Sequence, residues 1–179
     1  EVAQAVQGAL DVLRGLGARG EDAHFGSARY CQYIMPFIVQ AEAAAYHEPT
    51  NRAHADDYGK EILALIERGL GGSATAYVGA NRQRLAFRAD ALALLAECDA
   101  LLSPTAPGPA PRGLASTGDA SLCAPWSYAG VPAITLPSGI AASGLPHAIQ
   151  LVAAADREAH LLGVAVWCER QLGFGDRGP

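Results

Sequence analysis

The sequence predicts an α/β fold, rich in helix, with helices flanking a sheet of few strands. Three observations predict it. Apolar residues recur at helical spacing in several long segments, as in Val2, Val6, Leu10, Leu13 and Leu16. Short apolar runs bounded by proline and glycine, such as Ala133 to Leu136 between Pro132 and Pro137, suit buried strands. Those runs alternate little, so the sheet is expected to be covered on both faces.

Taken in order, the first helix ends near Gly17, and Glu21 to Phe25 is expected to be a degraded strand. Ser27 to His47 reads as helix, kinked or split by Pro36. Asn51 to Asp57 is polar and marks a break. Lys60 to Leu70 is an amphipathic helix carrying Ile62, Leu63, Leu65, Ile66 and Leu70, closed by Gly69 and Gly71. The next helix, about Ser73 to Cys98, places Tyr77, Leu85, Leu92 and Leu95 on one face. Arg84 and Arg88 fall within that apolar stripe. A guanidinium there must be ion-paired, reach solvent, or bind a carboxylate in a pocket.

Leu101-Leu102 reads as a strand, and 104–119 as a loop that begins rich in proline and glycine. Pro125 to Val152 (PWSYAGVPAITLPSGIAASGLPHAIQLV) reads as loop, strand, glycine-rich connection and second strand. Gln150 lies inside the second strand and needs hydrogen-bond partners if buried. A last helix follows Asp156 as N-cap, with Leu161, Leu162, Ala165, Cys168 and Leu172 as its buried stripe. Residues 173–179 are expected to fray.

The bulk numbers exclude several classes. With 179 residues, half of them hydrophobic, the chain can form a single unit burying roughly 70% of its unfolded surface. A formal net charge of -5 gives no basic footprint, so no nucleic-acid partner is expected. No apolar run reaches the ~20 residues of a membrane helix. No membrane partner is expected, and the location is read as cytoplasmic. The chain begins in helical sequence without Met, read as a cut or processing edge. Cys31, Cys98, Cys123 and Cys168 form no C-x-x-C pair and read as buried thiols. The five histidines show no ligand spacing, so neither metal nor cofactor is expected.

Specific motifs fall in order along the C-terminal half. They are Asp99 to Pro107 (DALLSPTAP), then Pro125, Trp126, Gly130, Pro132, Ala133, Pro137 and Gly139, then Gly144, Leu145, Pro146, Gln150 and Leu151. This run resembles the C-terminal signature of the amidase signature family, serine hydrolases of amide bonds. The resemblance is strong after Asp99 and weak before Tyr77. It implies a mixed sheet flanked by helices, of which this chain would be the C-terminal part. Tyr77, Ala80 and Arg84 resemble a pattern in the A-type chains of the amidotransferases, where the matching arginine holds a substrate carboxylate. The context before it differs, so no substrate class is implied.

That family works through a Ser–cis-Ser–Lys arrangement in a glycine/serine-rich stretch, with backbone N–H groups at the oxyanion. Gly71-Gly72-Ser73-Ala74 has alanine where the second serine belongs, and reads instead as a helix end followed by an N-cap. Lys60, the only lysine, opens a helix on its polar side. No catalytic residue is therefore assigned, and the isolated chain is expected to be inactive. The implied substrate-wall residues are Arg84, Thr105 and Trp126, with Asp119 as a fourth. Trp126 could equally be core packing and Thr105 could satisfy its own turn.

Two alternatives stay open. One is an inactive small-molecule-binding or interaction module derived from an amidase. The other is an independent small enzyme using Ser121, in a triad with His147 and Asp119, or Cys123. The expected partners are an N-terminal half carrying the catalytic residues and a small-molecule amide. The helices outnumber the sheet that could cover them, so the chain alone should expose an apolar patch and self-associate, for example as a homodimer.

Overall fold

The computed structural model describes residues 1–173. The chain divides into two compact units, one made of Glu1–Gly26 with the residues from Ala89 on, the other of Ser27–Arg88.

The first unit is built on a three-stranded sheet of β1 (Leu101–Pro104), β2 (Ala133–Ile140) and β3 (Pro146–Val152), in the order β1-β3-β2. Both pairings are antiparallel, so of the expected mixed sheet the described residues hold only an antiparallel segment. Proline bounds these strands as expected but does not stop β2, which runs through Pro137 with a register shift between Pro137 and Gly139. A proline at an edge strand removes one donor without breaking a central ladder. Gly144 closes the β2–β3 hairpin with φ +83°, a conformation that glycine adopts freely.

β3 is the central strand. Its side chains Ile149 and Leu151 join Leu136, and helices α1 (Val2–Gly15) and α6 (Glu158–Leu172) cover them with Ala9, Leu13, Leu161, Ala165 and Cys168. The opposite face is only partly covered. Gln150 and Val152 are buried there, while Ala133 and Thr135 of β2 are exposed. Two-faced burial therefore holds for the central strand and not for β2.

Several expectations are corrected here. Glu21 to Phe25 forms no strand. The segment around Pro125, expected to be a loop, contains α5 (Ala124–Ala129). Pro125 stands in its first turn, where a missing N–H breaks no helical bond. Gly130, with φ +67°, ends it, its N–H donating to the Trp126 carbonyl at 2.9 Å. Asp156 does not cap α6: it has φ +61°, and Arg157 holds the N-cap position without a side-chain bond. Leu162 is exposed rather than part of the buried stripe. Of the expected tail, Gly173 closes α6 in the left-handed conformation, and the rest lies outside the described residues.

The second unit is helical. It contains α2 (Cys31–Ala53), α3 (Lys60–Leu70) and the first part of α4 (Ala74–Leu95). α2 is continuous through Pro36 and Pro49 instead of splitting, and it runs past the expected break at Asn51. Pro36 sits early in the helix, where it costs one backbone bond that tertiary packing can offset. α3 has the expected bounds, but only Ile66 is fully buried, and Ile62 and Leu70 are exposed. The α2–α3 approach is set by Gly69, where a Cβ would run into the Gln40 carbonyl and the Ala44 methyl. The thiols divide: Cys31 and Cys168 are buried, whereas Cys98 and Cys123 are exposed, against the expectation of four buried ones. Burial pushes the Cys31 thiol up to about 11.

Candidate functional site

The strands and α5 meet at Gln150. Its side chain is 2% exposed and its Nε2 donates towards three oxygens: Ser103 Oγ at 3.0 Å, the Pro104 carbonyl at 3.2 Å and the Leu122 carbonyl at 2.7 Å. A backbone carbonyl can only accept, so two of them around one atom identify it as the amide nitrogen. The glutamine thus has the partners its burial requires. Ser103 lies opposite it in the β1–β3 register, and Leu122 leads into α5.

Thr105 follows directly. Its N–H donates to the Ala148 carbonyl at 3.3 Å and continues the β1–β3 pairing. Its hydroxyl is buried with no hydrogen-bond partner, so the expectation that it satisfies its own turn does not hold. Trp126 lies on α5 and is 6% exposed. Its ring stacks on Phe25, with centroids 5.4 Å apart and planes 18° from parallel. Its indole N–H is likewise buried without a partner. The ring therefore packs as core and also carries an unspent donor. Phe25, at the end of the expected strand that does not form, gave no signal for this stack in the sequence.

The remaining candidates stand apart from this cluster. Asp119 is exposed, and its carboxylate accepts from the Ser121 N–H at 2.7 Å, which holds its pKa below the usual carboxylate range. That is a local Asx turn. Arg84 belongs to the helical unit, half-buried on α4 along the line of Ala80, Phe87 and Ala91. It and Arg88 both have interaction partners. Leu85, expected to share that stripe, is 70% exposed. Tyr77 lines a cleft of about 380 Å³ formed by α2, the end of α3 and the start of α4, with Phe37, Glu42, Arg68 and Ser73, and donates its hydroxyl to Glu42 at 3.1 Å.

The nucleophile candidates can be tested directly. A Ser/His/Asp triad needs the imidazole between serine and carboxylate. Here Asp119 engages Ser121 itself, and His147 Nε2 lies 3.3 Å from the Glu1 carboxylate, without hydrogen-bond alignment. Glu1 also accepts from the Ala142 N–H at 2.7 Å, and this bond is the main cause that lowers its pKa. Lys60 is exposed at the start of α3. Ser73 accepts from the Ala76 N–H at 3.1 Å, the N-cap geometry read from the sequence.

Comparison with known proteins places this geometry. The family model described as Amidase matches residues 1–162. The A-type chain of the glutamyl-tRNA(Gln) amidotransferase of Synechococcus elongatus is 28% identical over 98% of this chain and 43% of its own length. The same-named chain of a Picosynechococcus species is 30% identical over 100% of this chain and 43% of its own length. A crystal structure of an amidase superposes with a TM-score of 0.86 at 26% identity, covering 95% of this chain and 42% of that one. A 6-aminohexanoate cyclic dimer hydrolase shares the fold, with a TM-score of 0.78 at 24% identity, over 96% of this chain and 41% of its own. The chain thus spans about two fifths of the length of the relatives it matches. Among the described residues, no helix is long and apolar enough to cross a membrane.

Proposed function

The chain belongs to the amidase family, and from that premise we propose that it is the C-terminal part of a hydrolase of linear, non-peptide C–N amide bonds. In this reading it acts as one unit, supplying fold and a substrate wall, while the Ser–cis-Ser–Lys machinery lies in a partner segment. The observation that carries it is that two of the buried groups left without a partner on the segments with the amidase motifs are Thr105 Oγ1 and Trp126 Nε1. Burying a polar group without a partner costs free energy, so a ligand or partner segment that supplies an acceptor would recover it. By its likeness to the amidotransferase pattern, Arg84 of the helical unit is a candidate carboxylate-holding residue. Asp119, exposed and engaged with Ser121, is the most peripheral member. The named amidotransferase relatives are subunits, which favours a chain that works with a partner. The cytoplasm is the compartment proposed.

The solvent-facing Lys60, which leaves this chain no base of its own, fits equally a second reading, an inactive binding module derived from an amidase. Both readings expect the 179-residue chain to turn over no small aryl or aliphatic amide. Turnover that is lost in Ser121→Ala or Cys123→Ala would overturn both. To separate them, the chain is combined with an amidase segment carrying the catalytic serines and lysine. Activity restored by that segment, and weakened for carboxylate-bearing amides by Arg84→Leu, supports the hydrolase. An amide bound by the chain alone, with no activity restored, supports the module.

A further inference from the structure

The connection from β1 to α5 is long, and residues 109–121 within it are exposed throughout. Leu114, near its middle, has no apolar cover at all. Such a segment has few tertiary contacts of its own to fix where its ends lie. Yet Thr105 stands at its start, half-buried and paired to Ala148, and Trp126 stands one turn beyond its end, buried against Phe25. One side chain touches both ends. The Gln150 amide donates to the Pro104 carbonyl, where the segment leaves β1, and to the Leu122 carbonyl, where it enters α5.

We propose that Gln150 is a positioning residue for the substrate wall: its amide ties the Leu122 end of the 105–121 loop to the Pro104 end, which the β1–β3 pairing already holds, and so sets where Trp126 stands relative to Thr105. This rests on the reading that those two residues form the wall. The chemistry is specific to a donor. Two carbonyls converge on one buried atom, and only an N–H or O–H placed there is attractive. A carboxylate would face them acceptor to acceptor, and a methionine would leave both unsatisfied.

The experiment follows Trp126 fluorescence in a Trp167→Phe background, since Trp167 is the other tryptophan. Acrylamide quenching reports how well the indole is covered, and far-UV circular dichroism reports the fold. The parent should stay protected at every pH. Gln150→Met should raise the quenching constant at every pH with the helix signal kept. Gln150→Glu should raise it only while ionised and recover protection once protonated, because the O–H again donates to a carbonyl. Its midpoint should lie above the ordinary value of about 4.3, since burial and two facing carbonyls disfavour the charge. A merely space-filling role would show no such recovery. Parent-like quenching in Gln150→Met, no pH dependence in Gln150→Glu, or loss of the whole fold in both would overturn the proposal. A further variant leaves Gln150 intact and replaces residues 109–118 by a Gly/Ser stretch of equal length. Unchanged Trp126 quenching is expected there, and a rise would place the positioning in the loop itself and overturn the pin. None of these readouts uses amide turnover, so failure of the pin is distinguishable from failure of the pocket reading.

Discussion

The two units solve the packing problem in opposite ways. The sheet unit gathers its apolar stripes into one cluster, with Ile149 and Leu151 of β3 under Leu13, Leu161 and Ala165. It then ties its edges with a polar side chain, Gln150. The helical unit relies on close approach between helices. α2 and α3 hold each other by close approach at Gly69, and large apolar side chains such as Tyr33, Phe37 and Tyr46 remain exposed. The difference teaches where each unit is vulnerable. The first is sensitive to lost volume and lost donors, the second to added volume.

The largest expected effect is in the sheet unit. Ile149 has no exposed surface and lies on the central strand, so Ile149→Ala should destabilise by about 2–5 kcal/mol. Urea unfolding followed by circular dichroism measures it, and a loss under 1 kcal/mol would mean that the cluster is not the core. Next comes Gly69→Ala, which adds one methyl against backbone. Overpacking of this kind should cost about 1–3 kcal/mol. If hydrogen exchange instead shows α2 and α3 undisturbed, the close approach is not what holds the helical unit.

A smaller effect of opposite sign tests the unspent groups. Thr105→Val removes a buried hydroxyl that has no partner at nearly constant volume. The ligand-free chain should gain about 1 kcal/mol. A destabilised variant would show that the hydroxyl is satisfied in solution, and the wall reading would lose its main support. The smallest effect concerns Glu1, whose pKa is lowered by the Ala142 N–H and then by His147. A depressed carboxyl pKa contributes stability above the unfolded value, and loses it as pH falls through the folded one. Thermal melts should therefore show a shallow loss below pH 4.5, the ordinary value of this group, that Glu1→Gln lacks. Identical pH profiles for the two chains would show that the Glu1–Ala142 hydrogen bond adds no stability.

Much of the fold was legible because it is written in local terms. The bounds of α3, the strand character of Leu101-Leu102, Ala133 to Leu136 and Ala148 to Val152, and the N-cap at Ser73 all follow from periodicity and turn chemistry. The errors share a cause. Asp156 looked like an N-cap and Pro125 like a loop residue, because each residue type favours those roles in isolation. Leu85 and Leu162 carry the right spacing but meet no neighbour. Spacing tells which residues share a face, and only the packing partner decides whether that face is covered.

The site divides along the same line. The sequence by itself determined the motif residues, the lone lysine and the family resemblance, because these are identities and spacings along one chain. It also required that Gln150, if buried, find partners. Which partners, only the tertiary structure decided, since Ser103, Pro104 and Leu122 lie 28 to 47 residues away along the chain. The stack of Phe25 on Trp126 and the unspent Thr105 hydroxyl were settled there too. Hydrogen bonds and ring contacts depend on distance in space, which spacing along a single chain does not fix across so many residues.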